Sequence, residues 1–198
     1  MAEIRVLDKH TAELIAAGEV VERPASVAKE LLENSIDAGA TQISLAIERG
    51  GIRQLQIVDN GSGIEPQYID KAFVRHATSK IATADDLGHI HTLGFRGEAL
   101  ASIASVARVE VVTRTENDEF ACVYRIAGGE EQGIEPGARA VGTTITVNDL
   151  FYNTPARMKF LKKDASEGTF VSETVLHAAL SHPEISFRFT KDGKQQFI

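Results

Sequence analysis

Two runs of alternating residues separated by a glycine pair restrict this chain more than any other feature. Ile43, Leu45 and Ile47 recur at every second position, Gly50-Gly51 supplies a turn, and Leu55 and Ile57 resume the alternation. That pattern specifies an antiparallel hairpin with one apolar face. Such a face is stable only beneath a second layer, and helical segments are available to form it. One helix is expected over His10 to Ala17, capped by Asp8 and stopped at Gly18, and a second over Pro24 to Ala38, stopped at Gly39. A short helix is expected over Pro66 to Val74. Another follows Gly97, where Ala99, Leu100, Ile103 and Ala104 repeat with helical spacing, and a last one spans Glu167 to Leu180 before Pro183. Strand signals recur at 109–111, at Cys122, Tyr124 and Ile126, and at Thr144 and Thr146. Turns are expected at Gly128-Gly129, at Glu135-Pro136-Gly137 and in a final hairpin at Lys191-Asp192-Gly193. The whole reads as an α+β two-layer sandwich: a mixed, mostly antiparallel sheet with helices on one face.

The chain has 198 residues, 43% of them hydrophobic, which suits one domain with a sizeable core. Charged residues make up 25%, and no apolar run approaches the eighteen residues of a membrane span, so neither disorder nor membrane insertion is indicated. The start, Met1-Ala2-Glu3-Ile4-Arg5, lacks a secretory signal, and a cytoplasmic location is the expectation. A lone cysteine, Cys122, excludes an internal disulfide and a multi-cysteine zinc site, and its alternating context makes it a core thiol. The six histidines show no zinc spacing beyond His89-x-His91. A formal net charge of −7 argues against coating nucleic acid by bulk charge, so any DNA contact is a local patch. Arg157 to Lys163 places four cations in seven residues, which taken alone reads as a solvated face.

Three segments carry chemistry. On the second helix, Val27, Ala28, Leu31, Leu32, Ser35 and Ile36 share one face and Glu30, Glu33, Asn34 and Asp37 the other. An ordinary amphipathic helix with its charges in water explains this stripe. A second explanation is chemical: Glu30 and Asn34 lie one turn apart, so a carboxylate can hold a water while an amide oxygen coordinates a cation such as magnesium. The run Leu55 to Asp59 ends in Asn60-Gly61-Ser62-Gly63, where a strand-end carboxylate can accept from the exocyclic amine of a purine, or the loop is simply a turn. In Leu93-Gly-Phe-Arg-Gly-Glu-Ala-Leu100, glycines and an arginine precede a helix start, a place suited to phosphate oxygens as well as to ordinary capping. Upstream, Arg75-His-Ala-Thr-Ser-Lys80 opens a long stretch without periodicity that suits a lid. No P-loop and no dinucleotide fingerprint after a strand occurs.

The order of these segments resembles one superfamily. Glu30-Leu-Leu-Glu-Asn-Ser-Ile-Asp-Ala-Gly39, Asp59-Asn-Gly-Ser-Gly63, Gly94-Phe-Arg-Gly97 and Gly142-Thr-Thr144 are similar to the four motifs of the ATPases shared by gyrase, heat-shock chaperones, histidine kinases and MutL. Ile15 to Pro24, Arg75 to Lys80, Gly94 to Leu100 and Asp149-Leu-Phe-Tyr-Asn-Thr-Pro-Ala-Arg157 resemble signatures of the MutL mismatch-repair family in particular. The resemblance implies a Bergerat-type ATPase fold and the binding and slow hydrolysis of Mg-ATP. It implies that Glu30 is the general base and Asn34 the magnesium ligand. Asp59 would accept from the adenine amine with Thr143 assisting through a water, and Gly63 would leave room for the base. Thr78, Ser79 and Lys80 would belong to the lid, and Gly94, Phe95, Arg96, Gly97, Glu98, Ala99 and Leu100 would wrap the phosphates.

The implied setting is DNA mismatch repair, with conformational switching, a homodimer, DNA and mismatch-recognition and other repair proteins as partners of the full-length protein. Residues 1–198 are expected to form an ATP-binding domain cut from a longer protein, monomeric and weakly active, without the second domain whose lysine reaches the γ-phosphate. The alternative is an ATP-binding switch or scaffold without turnover.

Overall fold

The computed structural model describes residues 6, 18, 20–77, 92–94 and 97–198. The expected first helix, His10 to Ala17, and the histidine pair at 89 and 91 lie outside them. Helix α1, Pro24–Asp37, begins on a proline, whose fixed φ suits the first helical position and whose missing N–H costs nothing there. It ends where Gly39, at φ +71°, donates to the Ile36 carbonyl at 2.9 Å. Val27, Ala28, Leu31 and Leu32 are buried, as the stripe requires.

Strands β1 (Gln42–Glu48) and β2 (Gln54–Asp59) form the expected hairpin, with Leu45 opposite Ile57. The turn between them is a 3₁₀ segment, Arg49–Gly51, and Gly50 has φ +70°. A Cβ there would lie 2.5 Å from the Asp164 carbonyl oxygen, so this glycine also admits the next layer. In place of one helix over 66–74, two 3₁₀ turns form, Pro66–Tyr68 and Lys71–Phe73. Helix α2 (Ala99–Val106) leads into β3 (Arg108–Arg114), β4 (Ala121–Ala127), β5 (Glu130–Gly137) and β6 (Gly142–Asn148). Two further helices, α3 (Pro155–Met158) and α4 (Asp164–Ser181), precede β7 (Ser186–Lys191) and β8 (Lys194–Phe197).

The sheet has eight strands in the order β5-β4-β3-β6-β2-β1-β7-β8. All neighbours are antiparallel except β1 and β7. Its inner face carries Leu45, Leu55, Ile57, Val111, Tyr124, Ile145, Phe187 and Phe189, covered by α1, α2 and α4. Its outer face is polar, with Gln54 donating to Asn148 at 3.0 Å and Gln56 to Thr146 at 3.1 Å. One side dry and one side wet is the usual state of a mostly antiparallel sheet. The expected turn at Glu135-Pro136-Gly137 is instead the end of β5, an edge strand. Its outer side needs no N–H, so proline is tolerated there. Among the described residues no helix is long and apolar enough to cross a membrane.

The C-terminus of α2 is closed by tertiary donors. Gly129 N, Asn153 Nδ2, Phe151 N and Gly128 N donate to the carbonyls of residues 104, 105, 106 and 107 at 3.0, 2.8, 2.7 and 3.2 Å. Helix ends leave such carbonyls orphaned unless something meets them. Phe151 does so at φ +67°, unfavourable for a bulky residue, and is held there by complete burial.

Tyr124 lies in the core beside Phe73, ring centroids 5.1 Å apart, and burial, reinforced by Glu131, pushes its hydroxyl up to about 12. The folded state therefore favours the neutral phenol. This stabilisation is complete below the ordinary tyrosine value near 10 and is lost as pH rises toward 12. Denaturant titrations at stepwise alkaline pH should show stability falling across that window, with a smaller fall in Tyr124→Phe.

Candidate functional site

Asp59, at the end of β2, is 6% exposed, and a carboxylate so buried persists only if its oxygens are satisfied. Three elements supply donors. Ser35 Oγ of α1 donates at 2.9 Å, Gly61 N of the following loop at 2.9 Å and Thr143 N of β6 at 3.2 Å. Since a carboxylate offers about four lone-pair sites, acceptor capacity for a further donor remains. The Asp59 main-chain carbonyl accepts from Arg139 Nη2 at 2.9 Å, while Arg139 Nη1 donates to the Val112 carbonyl at 2.8 Å and Thr144 Oγ1 at 3.0 Å. Burial holds the Arg139 guanidinium below its ordinary value, and the nearby Asp59 charge opposes that shift.

The loop after Asp59 is fastened along its length. Asn60 Oδ1 accepts from the Thr41 and Gln42 amides at 2.8 and 2.9 Å, and Ser62 N donates to the Ala38 carbonyl at 3.0 Å. Gly63 has φ +77°, and a Cβ on it would sit 2.3 Å from the Arg114 carbonyl oxygen. Close approach to β3 is thus reason enough for glycine here. Beyond it, Ile64 N donates to Thr113 Oγ1 at 2.8 Å, and Thr113 Oγ1 lies 3.1 Å from Thr143 Oγ1. Thr143, expected from sequence, therefore joins Asp59 through its amide and the loop through its hydroxyl.

Glu30 and Asn34 are half-buried, one turn apart on α1. The Lys29 ammonium lies 3.8 Å from Glu30 and 2.8 Å from Glu33. Lower on the same stripe, Asp37 accepts from the amides of Leu93 and Gly94 at 3.0 and 3.1 Å. Gly97, at φ +63°, has the Ala77 carbonyl 2.4 Å from where its Cβ would be, and its own carbonyl accepts from His76 N at 2.9 Å. Glu98 lies 3.3 Å from the His76 ring and accepts at its carbonyl from Ser102 N at 2.8 Å. Ala99 and Leu100 open α2. The start of α2 is thus brought beside residues 75–77. Thr78, Ser79, Lys80, Phe95 and Arg96 lie outside the described residues. Three participants were not singled out from sequence: Ser35, Asp37 and Arg139. Ser35 had a signal, a hydroxyl on the apolar face of a helix, and Asp37 had its place on the polar stripe.

Among the described residues no three His, Cys, Asp or Glu side chains converge as metal ligands. A dication at Asn34 would take most of its oxygens from phosphate and water, which suits magnesium.

A strand-end carboxylate fastened to α1 through Ser35, with a polar stripe on that helix and glycine-bearing loops on the same sandwich, points to the class of nucleotide-binding ATPases without a P-loop. The family described as histidine kinase-, DNA gyrase B-, and HSP90-like ATPase matches residues 22–133, and the chain belongs to that family. Within it, the chain is similar to MutL proteins. It is 52% identical over 194 residues to the DNA mismatch repair protein MutL of Agathobacter rectalis, covering 98% of this chain and 30% of that one. It is 49% identical over 197 residues to MutL of Desulforamulus reducens, covering 100% of this chain and 31% of the relative. The chain therefore spans about a third of the length of these relatives. Among solved structures, the Aquifex aeolicus MutL ATPase domain complexed with ADP superposes with TM-score 0.75 at 32% identity, over 90% of this chain and 63% of that one. The N-terminal domain of a DNA repair protein gives TM-score 0.77 at 30% identity, over 93% and 54%.

Gly142 has φ +122°, and a Cβ on it would fall 2.2 Å from the Asp59 carbonyl oxygen. Gly142→Ala should lower unfolding stability by at least about 2 kcal/mol, since it adds backbone strain to a clash with main chain. Ser35→Ala should cost about 1–3 kcal/mol by removing one donor from a buried carboxylate. Both are read by urea denaturation of the purified variants.

Proposed function

We propose that this chain binds Mg-ATP and hydrolyses it slowly, and that the cycle drives conformational switching and dimerisation of a mismatch-repair protein acting on DNA in the bacterial cytoplasm. The observation that carries this reading is the Asp59 carboxylate, buried, held by three elements and still able to accept. It suits the exocyclic amine of adenine, with Thr143 beside it to hold a bridging water. Gly63 keeps the loop close to β3 beside this carboxylate, the place proposed for the base.

Glu30 takes a proton from the water that attacks the γ-phosphate. Its carboxylate lies half-buried on α1, 3.8 Å from the Lys29 ammonium. Asn34 offers its amide oxygen to magnesium, which when bound neutralises charge shared by the phosphates. Phosphate oxygens are met by backbone N–H groups from Gly97 through Leu100 at the start of α2, with Phe95 and Arg96 completing the wrap and Gly94 fixing the turn that leads into it. Thr78, Ser79 and Lys80 close over the nucleotide as part of a lid. Repair partners and DNA are engaged by the whole protein, of which this chain is the nucleotide-responsive part.

Calorimetry with ATP tests the base pocket. Asp59→Ala should abolish measurable binding while circular dichroism stays that of the parent, and unchanged affinity in the folded variant would remove adenine from this pocket. Turnover tests the stripe. Glu30→Ala should bind ATP as the parent does yet lose about 10²–10⁴-fold in rate, because a general base acts in the transition state. Asn34→Ala should instead weaken binding that depends on magnesium. Identical behaviour of the two variants in both assays would remove the division between base and metal ligand.

A further inference from the structure

Asp37 stands one turn beyond Asn34 on α1, and its two carboxylate oxygens accept from successive amides, Leu93 N to Oδ1 at 3.0 Å and Gly94 N to Oδ2 at 3.1 Å. Consecutive N–H groups aimed at one anion form the kind of cradle that phosphate oxygens also occupy. Here the protein supplies the anion itself. The Leu93 and Gly94 amides are therefore engaged internally, which leaves contact with phosphate to the amides that follow. The turn is held from its other side as well, since Thr92 Oγ1 donates to the Gly94 carbonyl at 3.1 Å. Gly97 is held as well, its carbonyl accepting from His76 N at 2.9 Å just before α2 begins.

The anchor point has a further consequence. Glu30, Asn34 and Asp37 lie at intervals of four and three residues on one rigid helix, so the loop is tied to the same body that carries the proposed base and metal ligand. We infer that Asp37 is a positioning residue: it holds the turn Thr92–Gly94 so that Gly97 and the start of α2 face the nucleotide phosphates, without touching the nucleotide itself. This rests on the nucleotide-site reading above. A carboxylate is the group the geometry requires, because an asparagine has one acceptor oxygen and would turn its NH₂ toward the second amide.

The experiment compares the parent, Asp37→Ala and Asp37→Asn by NMR titration with ADP and, separately, with adenosine, which probes the base pocket alone. Asp37→Ala should bind ADP about tenfold more weakly or worse, while its affinity for adenosine stays at the parent value, and Asp37→Asn should fall between. A merely structural role would weaken both ligands together. Equal losses for ADP and adenosine, or undiminished ADP binding by Asp37→Ala, would overturn the inference. Hydrogen exchange without nucleotide tests the tether itself: the Leu93 and Gly94 amides should be protected in the parent and exchange faster in Asp37→Ala, and unchanged protection would also overturn it. If the parent bound neither ADP nor adenosine, the nucleotide-site reading would fail, and that result is distinct from any change confined to Asp37 variants.

Discussion

A buried carboxylate organises this domain. Removing Asp59 from water is costly unless each oxygen finds donors, and the donors come from a helix, a loop and a strand distant in sequence. Ser35 lies on the same helical face as Leu31 and Leu32, so one rotation of α1 both buries its apolar residues and satisfies the acid. That same rotation decides where Glu30, Asn34 and Asp37 point. The Asp59 carbonyl, locked by Arg139 and crowded by Gly142, prevents the strand end from relaxing away. Core packing and site geometry are therefore one constraint rather than two.

The second anchor is the far end of α2. Its start adjoins the loops that the proposed mechanism uses, while its last carbonyls are closed by Gly128, Gly129, Phe151 and Asn153. Three of the residues in the segment Asp149–Asn153 contribute directly or through strain: Phe151 and Asp149 adopt positive φ, and the Asn153 side chain donates into the helix. A segment that resembles MutL signatures thus has a mechanical task, closing the C-terminal end of α2.

Much of this is legible in the sequence. Period-two alternation at Ile43 to Ile57 and at Val109 to Val111 reports which face of a strand is buried, because successive side chains point to opposite sides. The stripe of α1, its proline start and its glycine stop are local as well. The mistaken turn at Glu135-Pro136-Gly137 shows the limit: turn-forming residues also occupy an edge strand, and only the neighbour β4 distinguishes the two. The expected helix over Pro66 to Val74 shortened to two 3₁₀ turns, anchored by burial of Ile69 and Phe73.

By itself, then, the sequence determined the α+β layering, the apolar and polar faces of α1, the strand-end acid at Asp59 and the family to which these motifs belong. Tertiary structure alone decided who meets whom. That Ser35 donates to Asp59, that Gly63 packs onto the Arg114 carbonyl, and that Asp37 grips two amides 56 and 57 residues away follow from no local pattern. The physical reason is that periodicity records the contrast between inside and outside along one element. A hydrogen bond or a 2.3 Å approach depends on the register between elements, which packing sets only when the sheet and helices close on each other.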